Sequence, residues 1–442
     1  MKIKSTLREI AFNALCKIIL NKGYSNLILK NMLKDKEISQ LDKNLITEIT
    51  YGTLKYKYTI DVILKDYIKF NKVDKKILII LEMAIYQLKY LDKIPDYAVL
   101  NESVELSKSL NSSFGSFVNA VLRNYLRKKD EFNIARLNDI EKLCFEYSFP
   151  ENLVKIIMKQ YGENAASILK SLNEMQYTTL RINNLKINSD EFIENLKLQG
   201  IDFQVSKFSN KFVIIKQGLN IEKMQMYLDG TASIQNESSM FPVNLLDLRK
   251  HEHILDICAA PGGKSCYIAE TLDDDAFITS CDIHEHRIKL IENNCKRLGI
   301  KSISTRALDG TILESSFLNK FDRVIADVPC SGIGVIRKKP EIKYSKIDFD
   351  KLIHTQKRIL KNGSLYLKNG GTIIYSTCTL NKSENEGVID WFLKNNKGFS
   401  LQKIDMGEDS NFIYDAKDKG VTILPKNNLD GFYISKIKKN EV

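Results

Sequence analysis

Apolar residues recur at three- and four-residue spacing over the first third of the chain, whereas in its last half they gather into short β-branched runs separated by helical patterns. The first spacing is that of amphipathic helices, the second that of alternating strands and helices. Leu7, Ile10, Ala11, Ala14, Leu15, Ile18 and Ile19 share one helical stripe, with Thr6 and Glu9 placed as a capping box ahead of it. Similar stripes cover residues 43–70, 75–90, 98–110 and 116–129, with a turn at 111–115. Residues 1–140 are therefore expected to form an all-α bundle.

Between about 149 and 230 the pattern is mixed. TTLRIN and FVIIK have the character of short strands, residues 189–199 that of a helix stopped by Gly200, and residues 221–228 that of a second helix. Strand, helix, strand, helix, with room for one more strand, predicts linker helices and a small α+β domain of ferredoxin or RNA-recognition type within 141–230. The aromatic signature by which RNA-recognition folds stack bases is missing from it. From 231 to 442, HILDIC, FITSCD, RVIADV and GTIIYS are strand-like, with helical patterns at 263–272, 285–298, 352–368 and 383–394. That alternation predicts an α/β domain of Rossmann type, doubly wound on a parallel sheet, with ligands outside the carboxyl ends of the strands. The fold class expected is multidomain, with one domain of each kind.

Composition changes this picture little. The 442 residues carry 66 Lys and Arg against 55 Asp and Glu, a net charge of +11, which admits a polyanionic partner without singling one out. Arg123, Arg127, Lys128 and Lys129 end the last bundle helix, where they suit phosphate contact and an ordinary solvated face equally. No run approaches the roughly 18 apolar residues of a membrane span, and Arg8 and Glu9 break the N-terminal apolar stretch, so a cytoplasmic protein without membrane contact is expected. The eight cysteines include no CxxC pair and no matching histidine spacing, so no metal is expected. Six of them, Cys16, Cys144, Cys258, Cys266, Cys281 and Cys295, are most simply small core hydrophobes.

The run ILDICAAPGGKS sets a glycine turn between the first strand of the α/β domain and its helix. Gly262 and Gly263 allow close backbone approach to a ligand there, and the helix start offers unpaired N–H groups. The run is neither the GxGxxG of dinucleotide enzymes nor a Walker A loop. Asp282 follows about twenty residues on, where a carboxylate accepts from both hydroxyls of a ribose. Asp309, in ALDG after a third strand, suits an adenine amino group. Taken singly, each acid is equally a cap or a turn. In this order they describe a cleft for an adenosyl ligand, and S-adenosylmethionine fits best beside the next pair of motifs.

Those motifs are DVPCSG and YSTCT, each with a cysteine just past a core strand, Cys330 and Cys378. If the strands are parallel neighbours, two thiols meet in one cleft beside the cofactor. Carbon 5 of cytosine is a poor nucleophile, and a thiolate added to carbon 6 makes it an enamine carbon able to accept a methyl group. Asp327, three residues before Cys330, is placed to hold N3 and the exocyclic amine of the base, and Arg337, Lys338 and Lys339 follow as candidate phosphate contacts. A plain strand end with a structural thiol is the simpler alternative for each cysteine.

Two resemblances cover nearly the whole chain. REIAFNALCKII, YAVLNESVELSK and SFVNAVLRNYLR, over residues 5–129, resemble the RNA-binding helical domain of the NusB family. PGGKS, DVPCSGIGVIRKKPEIKY, YSTCTLNKSENE and LPKNNLDGFYISK resemble the Sun family of RNA cytosine-5 methyltransferases. The second resemblance implies that Cys378 attacks carbon 6 and that Cys330 assists release of the methylated base. It also implies that Cys258, Ala259, Ala260, Pro261, Gly262, Gly263 and Lys264 hold S-adenosylmethionine, with Asp282, Asp309 and Asp327 as further contacts. The two together imply methylation of a cytosine in small-subunit ribosomal RNA, free or in an assembly intermediate, by a monomer. Transfer RNA as substrate, and a catalytically silent RNA-binding assembly or antitermination factor, are the alternatives. In QNESS, Asn236 stands where that family commonly has Asp, and Ser265 stands for a more usual Thr.

Overall fold

The computed structural model describes residues 6–34, 38–128 and 134–441. They divide into two compact units, Met1–Glu174 with Ile336–Lys346, and Met175–Val335 with Ile347–Val442.

The first unit is helical. Thr6 accepts from the Glu9 backbone N–H and starts the helix Leu7–Ile19. The helices Gln40–Leu64, Lys75–Tyr90, Asp96–Leu110 and Phe114–Arg127 pack with it around one core containing Leu15, Ile49, Leu81, Val99 and Leu122. The stripe over 43–70 ends as helix at Leu64, and Phe70 begins a short 3-10 turn. A helix the periodicity did not announce, Ser25–Lys34, buries only Ser25 and Leu29, too few positions to set a stripe. Lys129 lies outside the described residues; Arg123 and Arg127 donate to Asn119 and Asn124 on their own helix. The helices Asp139–Tyr147, Glu151–Tyr161 and Ala165–Ser171 complete the unit.

Residues 336–346 cluster with this helical unit, where Lys339 Nζ lies over the Tyr24 ring. Glu341 accepts from Ser25 N at 3.0 Å and Ser25 Oγ at 2.8 Å, at the start of the helix Ser25–Lys34. Lys343 is buried, with Nζ donating to Lys55 O, Ser148 O and Asn173 Oδ1 at 3.0, 2.9 and 2.7 Å.

The second unit holds two sheets. β1 (Thr178–Ile182), β2 (Phe203–Val205), β3 (Phe212–Ile215) and β4 (Ala232–Ile234) pair antiparallel in the order β2-β3-β1-β4. The helix Ser189–Leu198 covers this sheet and stops before Gly200, whose φ is +64°. The expected helix over 221–228 is two short turns, because Met224 is extended. Among the described residues, nine strands make the larger sheet: β5 (His253–Asp256), β6 (Phe277–Asp282), β7 (Ile303–Ala307), β8 (Phe321–Asp327), β9 (Leu367–Thr377), β10 (Phe399–Leu401), β11 (Phe412–Tyr414), β12 (Val421–Ile423) and β13 (Phe432–Lys439). The order is β11-β12-β13-β9-β8-β5-β6-β7, with β10 on β13. β9, β8, β5, β6 and β7 run parallel, and β13 joins β9 antiparallel.

Alternation along these strands feeds two cores. Ile254, Ile278, Ile325 and Ile374 join the core beneath the helices Gly263–Thr271 and Glu285–Leu298. Leu255, Val324, Ile373 and Tyr375 join the opposite one, beneath Phe349–Tyr366 and Glu386–Asn395. The sheet is doubly wound, and its order reverses between β5 and β8, where such folds bind ligands. Among the described residues, no helix is long and apolar enough to cross a membrane.

Candidate active site

The turn after β5 builds one wall. Gly262 sits at φ +98° as the N-cap of the helix Gly263–Thr271, and a Cβ on it would lie 3.0 Å from Ile291 Cγ2. Glycine is required on both counts. Within the turn Gly262 N donates to Ala259 O at 2.7 Å, and Ala259 N to Cys281 O at 2.8 Å, which ties the loop to β6. From the small sheet, the buried Arg181 donates to Gly263 O at 2.8 Å and to Glu270 at 2.6 Å, and it also bonds Gln235. These bonds tie both ends of the helix Gly263–Thr271 to β1.

The acids line the carboxyl ends of the strands. Asp256, which ends β5, went unassigned from the sequence although ILDIC displays it. Its Oδ2 accepts from Ser265 Oγ at 2.7 Å, and its buried Oδ1 has no hydrogen-bond partner. A serine therefore does at 265 what a threonine hydroxyl would do. Asp282 ends β6 and accepts from Arg287 Nη1 at 3.0 Å, while its other oxygen accepts from Ala260 N at 3.3 Å. Asp309 turns back on its own loop, accepting from Thr311 N at 2.9 Å and Thr311 Oγ1 at 2.7 Å through one oxygen.

The thiols do meet. β8 and β9 are parallel neighbours, with Asp327 opposite Ser376, so the loops that follow emerge side by side. Cys330 Sγ lies 3.3 Å from Cys378 Sγ, and both side chains are partly exposed. The hydrogen bond to Cys378, together with burial, holds the Cys330 thiol well above the usual range. Burial pushes Cys258 well up as well, so it is a neutral thiol beneath the loop.

Asp327 connects the two halves of the site. Lys264 Nζ donates to its Oδ2 at 2.5 Å and Ser376 Oγ to its Oδ1 at 2.8 Å. Burial works against the charge on Lys264, but the Asp327 carboxylate outweighs it and holds the ammonium above its ordinary value. Lys264, from the turn after β5, and the acid three residues before Cys330 are therefore one ion pair.

Behind the thiols lies Glu384, one acid of the polar run YSTCTLNKSENE, in which no local pattern marks it out. It is fully buried and accepts from Ser331, Gln356 and Asn381. Asn236 has a structural job. Its Oδ1 accepts from Ser238 N and Asp430 N, and its Nδ2 donates to Asn428 O at 2.9 Å. A carboxylate could not supply that last donor.

Residues 243–438 match the family model for the 16S rRNA methyltransferase RsmB/F, residues 5–127 the NusB family, and residues 149–222 the ferredoxin-like domain of RsmF/B-like methyltransferases. The chain is 37% identical over 447 residues to the probable ribosomal RNA small subunit methyltransferase B of Bacillus subtilis, covering 99% of each. A methyltransferase homolog protein from Pyrococcus horikoshii is 27% identical with a TM-score of 0.60, covering 69% of this chain and 100% of that one. NSun6 from Pyrococcus horikoshii, solved with the S-adenosylmethionine analogue SFG, shares the fold at 21% identity and TM-score 0.59, over 67% of this chain and 100% of that one.

Proposed function

We propose that this chain, which belongs to the ribosomal RNA small subunit methyltransferase B family, methylates carbon 5 of a cytosine in 16S ribosomal RNA through a covalent bond from Cys378. Relatives bearing that name act on small-subunit ribosomal RNA, and S-adenosylmethionine is the cofactor. The observation that carries the finer reading is the 3.3 Å approach of Cys330 and Cys378 beside an aspartate paired to the cofactor loop.

The residues after β5 and β6 suit the cofactor. Asp256 has a buried oxygen without a partner, Gly262 turns the backbone at φ +98°, which a side chain would strain, and Asp282 closes the neighbouring strand. Residues 258–264, Asp282 and Asp309 would hold S-adenosylmethionine, which supplies an electrophilic methyl group when bound. The remaining chemistry belongs to the chain. Cys378 Sγ adds to carbon 6, and the displaced electron density makes carbon 5 nucleophilic. After methyl transfer the proton on carbon 5 passes to a base as the bond from carbon 6 to Cys378 breaks and the thiolate leaves, and Cys330, 3.3 Å from Cys378 Sγ, is placed to assist that release. Asp327, held by Lys264 and Ser376, presents a carboxylate to the exocyclic amine of the base.

The division of labour has a direct test. Cys378→Ala should abolish 5-methylcytosine in small-subunit RNA, read by bisulfite sequencing of total RNA from strains with and without the gene. Cys330→Ala should accumulate an enzyme–RNA adduct that survives denaturing electrophoresis. Full methylation by Cys378→Ala would overturn the assignment, and a conversion-resistant cytosine found in transfer RNA alone would change the substrate.

A further inference from the structure

We infer that Glu384 is a positioning residue for the thiol pair, its buried carboxylate locking the loop after β8 to the loop after β9 so that Cys330 and Cys378 are held at their mutual approach. This rests on the cytosine-5 reading, since it assigns the thiols their importance.

Glu384 is 0% exposed and lies six residues beyond Cys378. Its Oε2 accepts from Ser331 N at 2.8 Å and from Gln356 Nε2 at 2.9 Å. Its Oε1 accepts from Ser331 Oγ at 2.6 Å and from Asn381 Nδ2 at 3.1 Å. Gln356 also donates to Pro329 O at 3.0 Å, so the residues on both sides of Cys330 are gripped. Ser331 Oγ and Thr379 Oγ1 are 2.7 Å apart, and because Ser331 gives its proton to Glu384, Thr379 must donate to Ser331. Asn381 N in turn donates to Thr379 Oγ1 at 3.2 Å. The result is a directed chain, Asn381 to Thr379 to Ser331 to Glu384, whose middle members are the sequence neighbours of Cys378 and Cys330. Each carboxylate oxygen already accepts two bonds, a buried arrangement that only an acceptor at every site satisfies. Tyr375 O–H donates to the Glu384 carbonyl at 2.6 Å and fixes its backbone to β9.

The same carboxylate has an electrostatic effect. Its charge adds to the Cys378 hydrogen bond and to burial in disfavouring a thiolate at Cys330. Glu384 therefore supports both the approach of the sulfurs and the protonated state of Cys330.

Glu384→Gln tests this, because the amide keeps the shape and turns acceptor sites into donors facing donors. With the full-length protein, kcat for methylation should fall on the order of 100-fold, the scale for misplaced catalytic groups, while KM for the RNA and the Kd for S-adenosylmethionine stay as in the wild type. The second readout needs no substrate: mass spectrometry of iodoacetamide alkylation against pH should show Cys330 reacting at lower pH than in the wild type. If Glu384→Gln does not fold, Ser331→Ala breaks the same chain at its centre, and a smaller kcat loss at unchanged KM is expected from it. Wild-type kcat with an unmoved Cys330 profile would overturn the inference, as would equal losses in kcat and cofactor binding with that profile unmoved. If the wild type methylates an atom other than carbon 5, the cytosine reading fails, and the alkylation profile still decides the role of Glu384.

Discussion

The carboxyl of Asp256 is the residue whose protonation the fold alters most usefully for measurement. It is 1% exposed, and burial, only partly offset by the Ser265 hydroxyl and Lys264, pushes its pKa up to about 6. A carboxyl raised in this way binds its proton more tightly folded than unfolded. Its contribution to stability is full below the unfolded value near pH 4 and is lost as pH rises through about 6. The wild type should accordingly lose roughly 2–3 kcal/mol from this group between those limits. Asp256→Asn should flatten that part of the curve, which urea denaturation at pH 4 to 7 will measure. An undiminished slope in the variant would assign it to other groups. The same holds for Cys330, whose thiol is held well above the usual range by its hydrogen bond to Cys378 and by burial, neither of which its sequence neighbours display.

At the scale of the element, the turn after β5 shows how backbone geometry selects residues. Gly262 combines φ +98° with Ile291 Cγ2 at 3.0 Å from where a Cβ would stand, whereas a Cβ on Gly263 would meet only Gln235 Nε2 at 3.5 Å, an ordinary contact. Gly262→Ala should therefore cost about 1–3 kcal/mol of stability and weaken S-adenosylmethionine binding, while Gly263→Ala should be milder in both. Thermal melts and isothermal titration will rank the two, and equal effects would refute the steric account. Elsewhere, element type followed pattern strength. The stripes at Lys75–Tyr90 and Glu285–Leu298 have the predicted ends because Asp74 caps the start of the first and Gly299, in the left-handed region, stops the second. β13 (Phe432–Lys439) was seen only as a motif, since lysines dominate its end, yet it pairs six positions with β9.

For the whole molecule the unexpected feature is the partition of the chain. Residues 336–346 follow the PCSG loop in sequence but belong to the helical unit, and Glu341 there accepts both Ser25 groups at a helix start more than three hundred residues earlier. An anion at a helix N-terminus is favoured by the exposed N–H groups. Glu341→Ala should remove about 1–3 kcal/mol of local stability, seen as faster hydrogen exchange across Ser25–Lys34, with Glu341→Gln intermediate. Unchanged exchange would mean that water replaces the carboxylate without loss. The small sheet has an equally structural duty, since Arg181 on β1 reaches the cofactor helix through Glu270.

By itself the sequence determined most element types, the three kinds of domain, the glycine turn after β5 and the place of the two cysteines past their strands, because periodicity, turn residues and short motifs are local and leave local traces. It could not determine what depends on strand neighbours and on hydrogen bonds between distant residues. Only the order of β9, β8 and β5 brings Cys330, Cys378, Asp327 and Lys264 together. Only the packed interior turns Glu384 from one acid in a polar run into the acceptor of four bonds, and only there does Asp256 lose its water. Burial and directional bonding are properties of the assembled chain, and a residue's chemistry is set by them as much as by its identity.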